Sequence, residues 1–153
     1  MKKQFDINPF ISVGEIKFGM MCSEVREKLG EYSDYKNRAK GNKTADCFDL
    51  CHVFYDEEQC AEFIVFHALD EINLFWEANA LSEMTKQKLI SFFSERDNNL
   101  LVEDYGHGIV GIRSNQFGIA CYFTKNISTD EAGSEMEIDK VETISIAAKN
   151  YWK

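Results

Sequence analysis

Met20-Met21-Cys22-Ser23-Glu24-Val25-Arg26-Glu27-Lys28-Leu29 lies over Met84-Thr85-Lys86-Gln87-Lys88-Leu89-Ile90-Ser91-Phe92-Phe93 when the two halves of the chain are set side by side. Methionine meets methionine, Val25 meets Leu89, and one turn later Leu29 meets Phe93. Apolar residues four apart share one helix face. The two stretches therefore predict short amphipathic helices, one over 22–29 and one near 83–95. Glu24 and Lys28 form an i,i+4 pair in the favourable order. Ser23 and Ser82 are the expected N-caps, and Gly30 the expected stop of the first helix.

Strand patterns surround both helices. Residues 11–18 alternate apolar and polar apart from Gly14. Residues 50–55 and 61–66 read as a hairpin joined by Asp56-Glu57-Glu58-Gln59. The polar stretch 33–46 reads as a loop or edge. In the second half, 72–76 is strand-like. Runs at 100–102 and 109–112 flank the turn Tyr105-Gly106-His107-Gly108. Residues 117–123 and 141–146 complete the set. Val53-Phe54-Tyr55 matches Cys121-Tyr122-Phe123, and Ala61-Glu62-Phe63-Ile64 matches Val141-Glu142-Thr143-Ile144. The offset between the halves grows because 125–140 reads as a long polar loop where the first half has a tight hairpin.

A helix with one apolar face needs a sheet to cover it. The expected fold is α+β: two tandem strand-helix-hairpin units forming an antiparallel sheet with two helices packed on one face. It is expected to be a single domain over 1–153, with pseudo-repeat halves 11–70 and 71–151. The 153 residues, 44% of them hydrophobic, suffice for one core without disulfide staples.

The stretch from Ile16 to Gly30 resembles the bacterial motif Gly-Met-Thr-x-x-Glu-Val-x-x-x-Leu-Gly. That motif occurs in beta-lactamase inhibitor protein-like folds and in the small outer-membrane assembly lipoproteins of the SmpA/OmlA type. Uncharacterised cytoplasmic proteins of the immunity type have a similar opening. Met21 departs from the motif's capping threonine, whereas Thr85 restores it in the second half. No lipoprotein cysteine lies near the N-terminus. The resemblance implies a fold and a habit of binding proteins, with no catalytic residue.

The formal net charge is −9, shared by the two halves. An acidic surface repels phosphates, which argues against nucleic acid as a partner. No apolar run follows Lys2-Lys3 to form a signal peptide, and none approaches a membrane span. A cytoplasmic protein is expected. Its five cysteines, an odd number, then read as reduced thiols.

Candidate chemistry is sparse. Cys47, Cys51 and Cys60 with His52 and His67 invite a metal site. If 47–51 were extended, however, Cys47 and Cys51 would stand ~13 Å apart at ~3.3 Å per residue. Adjacent Cys51 and His52 would face opposite sides of a strand. Cys121 and His107, on neighbouring strands, have only their presence in favour of a nucleophile pair. Hairpin-tip carboxylates lack the contrasting environments that acid–base pairs need. No catalytic residue, cofactor or metal is expected.

The residues best suited to partner binding are acids at two places and one tryptophan. They are Asp130, Glu131, Glu135, Glu137 and Asp139 in the 125–140 loop, and Asp56, Glu57 and Glu58 at the first hairpin. Trp76, if exposed beside Glu77, would suit an interface anchor. The expected function is a non-enzymatic protein-binding module. Its concrete form is an immunity or inhibitor protein that masks a basic partner such as a toxin. The alternative is a small-molecule or peptide binder on the sheet face opposite the helices.

Overall fold

The structure, a computed structural model, describes residues 2–36, 43–104, 109–129 and 135–152. The first half runs β1 (Lys3–Asn8), β2 (Ser12–Val13), β3 (Ile16–Lys17), α1 (Cys22–Leu29), β4 (Ser33–Lys36), β5 (Thr44–Cys47), β6 (Cys51–Tyr55) and β7 (Ala61–Phe66). The second runs β8 (Ile72–Trp76), β9 (Asn79–Ala80), a 3₁₀ turn (Leu81–Glu83), α2 (Lys86–Ser94), β10 (Leu101–Asp104), β11 (Ile109–Ser114), β12 (Ile119–Thr129) and β13 (Glu135–Ala147).

These strands make two sheets. The larger has the order β10-β11-β12-β13-β7-β6-β5-β4, antiparallel throughout. It consists of two four-strand meanders, each following one helix, that meet where β13 pairs with β7. The smaller has the order β3-β2-β1-β8-β9, with β1 and β8 parallel.

The expectation of one antiparallel sheet with two helices on one face is therefore wrong. The protein is mostly β, in two sheets, with only two short helices among the described residues. The physical reason lies in how little the helices bury. Val25 is the buried residue of α1, and Leu89 and Phe93 are those of α2. Three side chains cannot cover an eight-stranded sheet. The small sheet supplies the missing apolar surface through Phe5, Ile7, Val13, Ile16, Ile72 and Leu74, all in one continuous core. Its central strand β1 buries Phe5 and Ile7 and exposes Lys3, Gln4, Asp6 and Asn8, the period-two pattern of a half-buried strand.

Helix boundaries shift for local reasons. The N-cap of α1 is Met21, with no side-chain cap, and Ser23 lies inside the helix. Gly30 ends it at φ 90°, where a side chain would be strained. Thr85, rather than Ser82, caps α2: its Oγ1 accepts the Lys88 N–H at 3.3 Å. The Ser82 hydroxyl instead accepts the Leu74 N–H at 3.1 Å, which ties the 3₁₀ turn to β8.

The long loop expected over 125–140 is also corrected. Strands β12 and β13 stay in register from Ile119↔Ile146 out to Thr129↔Glu135, with one irregularity at Tyr122/Phe123. Beyond that irregularity they pair only with each other among the described strands, as a two-stranded ribbon. The turn expected at 105–108 lies outside the described residues. The flanking β10 and β11 pair antiparallel, as a hairpin there requires.

Gly118 joins β11 to β12 at φ 68°. A Cβ there would stand 2.7 Å from the Ala147 carbonyl oxygen and 2.8 Å from Phe10 Cε1. Gly118→Ala is expected to destabilise the fold by roughly 1–3 kcal/mol, measured by urea denaturation.

Candidate functional site

Strand alternation divides the large sheet into two faces. Val53, Tyr55, Ile64, Phe66, Cys121, Ile144 and Ile146 point into the core. His52, Phe54, Phe63, Val65 and Tyr122 point the other way and remain only partly buried. The outward rows follow from register. One runs Cys47, His52, Val65, Ser145, Ala120, Arg113, and its neighbour runs Ala45, Phe54, Phe63, Ala147.

The C-terminal segment lies across this face. The Ala148 N–H donates to the Glu62 carbonyl at 2.9 Å. Tyr151 stacks on Phe63 with centroids 4.5 Å apart and planes at 7°. Trp152 meets Phe63 edge-on at 5.8 Å and takes the Arg113 guanidinium over its ring at 5.2 Å. The segment thus reaches from β7 to β11. It passes small buried residues, Ala120 and Ser145, that leave room for it. Phe54 continues the cluster, 5.5 Å from Phe63. Burial, and then the Glu62 charge, push the Tyr151 hydroxyl up to about 12. A hollow of about 330 Å³ opens beside the segment, lined by Asn115, Gln116, Asn150, Tyr151 and Trp152 among others.

No family model, curated protein or solved structure matches this chain.

The acids singled out in the sequence do not converge. Asp56, Glu57 and Glu58 sit at the tip of the β6–β7 hairpin and line a shallow hollow of about 330 Å³ with Lys43. Asp56 is committed to the turn: its Oδ1 accepts the N–H groups of Glu58 at 2.9 Å and Cys60 at 3.0 Å. Glu57 and Glu58 are exposed. Glu135, Glu137 and Asp139 lie on β13, opposite Thr129, Ile127 and Lys125. Asp130 and Glu131 lie outside the described residues. Because β7 and β13 run antiparallel, the hairpin tip and the ribbon extend from opposite ends of the sheet.

Trp76 is not a surface residue. It is 4% exposed and packs against Phe92, Phe93 and Phe117 at 5.5, 5.4 and 4.7 Å between centroids. Its strand carries the alternation Ile72, Leu74, Trp76 inward. The exposure that an interface anchor requires is absent.

Two buried carboxylates hold the fold together. Asp46 is fully buried on β5. Its Oδ2 accepts Arg26 Nε at 2.7 Å and the Tyr55 hydroxyl at 2.7 Å, and its Oδ1 accepts Arg26 Nη2 at 3.0 Å. Arg26 also stacks over Tyr32 at 4.1 Å. The hydrogen bond to Asp46 drives the Arg26 pKa upward, and burial followed by the tyrosine's own bond to Asp46 raises the Tyr55 pKa. Asp97 in turn accepts the Ser114 hydroxyl at 2.6 Å and the Asn99 N–H at 2.8 Å. Both clusters are saturated internally, so they tie α1 and the end of α2 to the sheet.

One chemical pairing was missed in the sequence. Cys47 and His52 face each other across β5 and β6, with Cys47 Sγ 3.2 Å from His52 Nε2. The His67 ring meets His52 edge-on at 4.9 Å. Residues 47–51 are not extended: the Phe48 N–H donates to the Cys51 carbonyl at 2.8 Å and closes a hairpin. Cys51 points inward, and burial pushes its thiol up to about 12. His107, considered as a partner for Cys121, lies outside the described residues. Among the described residues no three Cys, His, Asp or Glu side chains are grouped to hold a metal ion.

Burial, and then the His67 charge, lower the His52 pKa below its ordinary 6.5. His52 is thus neutral at pH 7 and protonates in the fold only at more acid pH than in the unfolded chain. Its contribution to stability is present above 6.5 and drains away as pH falls through its folded value. A carbon-detected NMR titration is expected to place its midpoint below 6.5; a midpoint above that would mean burial is not the governing influence.

Proposed function

We propose that this chain is a non-enzymatic protein-binding module that engages its partner through the outward face of the large sheet. The observation that carries the reading is that face itself. Phe54, Phe63, Val65, Tyr122, Tyr151 and Trp152 are all partly accessible there. Aromatic side chains with one wet side supply large contact area at small entropic cost. An aromatic cluster gathered on one sheet face, with the C-terminal segment lying across part of it, supports a contact surface.

Charge supports a basic partner. The net charge is −9, and Glu57 and Glu58 stand exposed at one end of the face. Acidic surroundings would speed capture of a basic protein, and the aromatic centre would slow its release. An immunity- or inhibitor-type protein acting in the cytoplasm is the concrete form of this proposal. No described helix is long and apolar enough to cross a membrane.

The alternative, a small-molecule or peptide ligand on the same face, draws support from the adjoining hollow of about 330 Å³ with its amide and aromatic lining. Co-purification from the native host at low and at high salt separates the two readings. A protein partner is expected as a stoichiometric basic polypeptide whose association rate drops with salt. Consistent recovery of the chain alone would remove the protein-binding reading. A ligand-induced rise in melting temperature would then favour the alternative.

A further inference from the structure

We propose that Cys47, with His52 as its base and His67 as the residue that positions His52, forms a thiol-modification site for low-molecular-weight disulfides. Three chain segments build it: β5 supplies Cys47, β6 supplies His52, and the residue after β7 supplies His67. Nucleophile, base and positioning group are each within contact of the next, at 3.2 Å and at 4.9 Å between rings. That is the arrangement by which proteins activate a thiol at neutral pH.

The other described cysteines lack it. Cys51 and Cys121 are buried in the core, at 2% and 0% exposure. Cys60 sits on the acidic hairpin, where its thiol meets the Met21 sulfur at 3.6 Å and not an imidazole. Slight burial and then the charges of Asp56 and Glu58 raise its pKa, which keeps it in the unreactive thiol form. Cys22 opens α1 near Arg26, on the helix rather than on the strand pair that carries His52. Cys47 is partly exposed on the outward face, with a neutral imidazole against its sulfur.

The step balances with a disulfide as oxidant. His52 Nε2 takes the Sγ proton, and the Cys47 thiolate attacks one sulfur of the disulfide. A new S–S bond forms while the old one breaks. The leaving thiolate takes the proton from the His52 imidazolium and departs as a thiol. Cys47 is oxidised and half of the disulfide is reduced. Cys47 from β5 and His67 beyond β7 are titratable groups that face His52.

The test uses the full chain and oxidised glutathione, read by intact mass and peptide mapping. One glutathionyl group is expected to add first at Cys47. Cys47→Ser is expected to abolish that addition, and Cys60→Ser to leave it unchanged. His52→Gln should slow it about tenfold or more at pH 7. The two rates should converge in strongly alkaline solution, where hydroxide can replace the imidazole as base. Convergence distinguishes a base from a structural prop, and matching circular dichroism spectra confirm that His52→Gln is folded. First addition at Cys22 or Cys60 would overturn the proposal, as would equal rates for wild type and folded His52→Gln at pH 7.

Discussion

Asp46→Ala is expected to cost the fold about 3 kcal/mol, toward the lower end of what breaking a buried ion pair costs. The Asp46 carboxylate is fully buried and accepts three hydrogen bonds, two from Arg26 and one from the Tyr55 hydroxyl. Its removal leaves that hydroxyl unpaired in the core. Arg26 fares better, because its side chain is 26% exposed and Asp34 stands 3.9 Å away. That escape is why the expected loss is not larger. Asp46→Asn, which keeps the volume and an acceptor but loses the charge, should cost less than the alanine variant. Urea denaturation of the three chains measures both. A loss below about 1 kcal/mol for Asp46→Ala would show that the cluster does not hold α1 to the sheet. The raised pKa of Tyr55 gives a second signature. The native chain keeps that proton after the unfolded chain has lost its own, so stability falls as pH rises above 10.

Trp76→Ala is expected to destabilise by roughly 3–5 kcal/mol, the range for deleting a large buried aromatic. Phe92, Phe93 and Phe117 all pack on the indole, and the contact between Phe92 and Phe93 limits their collapse into the vacated space. Arg96 is held nearby by Glu77 at 2.6 Å and by the Phe92 carbonyl at 2.9 Å. It would have to give up those bonds to fill the gap. The melting temperature should drop accordingly. An unchanged melting temperature combined with lost partner binding would instead make Trp76 an interface residue, against the packing seen here.

Alternation made much of the sheet legible. Residues 51–55, 61–66 and 72–76 bury every second side chain, or nearly so, and their apolar runs were readable as strands. Strand β1 carries the same signal in Phe5 and Ile7, but only two buried positions in six residues make it faint. The parallel partner of β1 is nearly seventy residues away, and no local pattern reveals such a contact. Residues 125–140 contain only Ile127, Ala132, Met136 and Ile138 as apolar residues. A two-stranded ribbon has no core face to demand more, so its polar composition resembled a loop. Short helices were placed well by their four-residue spacing, yet their number of buried side chains decided the architecture, and that count depends on what covers them.

The candidate site was hidden for a related reason. Cys47 and His52 meet across a two-residue connection, Asp49-Leu50, that lacks the Asn-Gly or Asp-Gly signature of a tight hairpin. Asp49 between two apolar runs was the available hint. The acids were legible as acids, but their distribution to opposite ends of the sheet follows from the β7–β13 register alone.

The central claim is that the outward face of the large sheet binds a protein, and Phe54 lies beside its aromatic cluster without anchoring the core. The most direct test is the affinity of wild type and Phe54→Ala for the co-purified partner, with melting temperatures measured alongside. The account predicts binding weakened about thirtyfold or more, as for an interface hot spot, with the melting temperature little changed. Equal affinities of the two chains would contradict it.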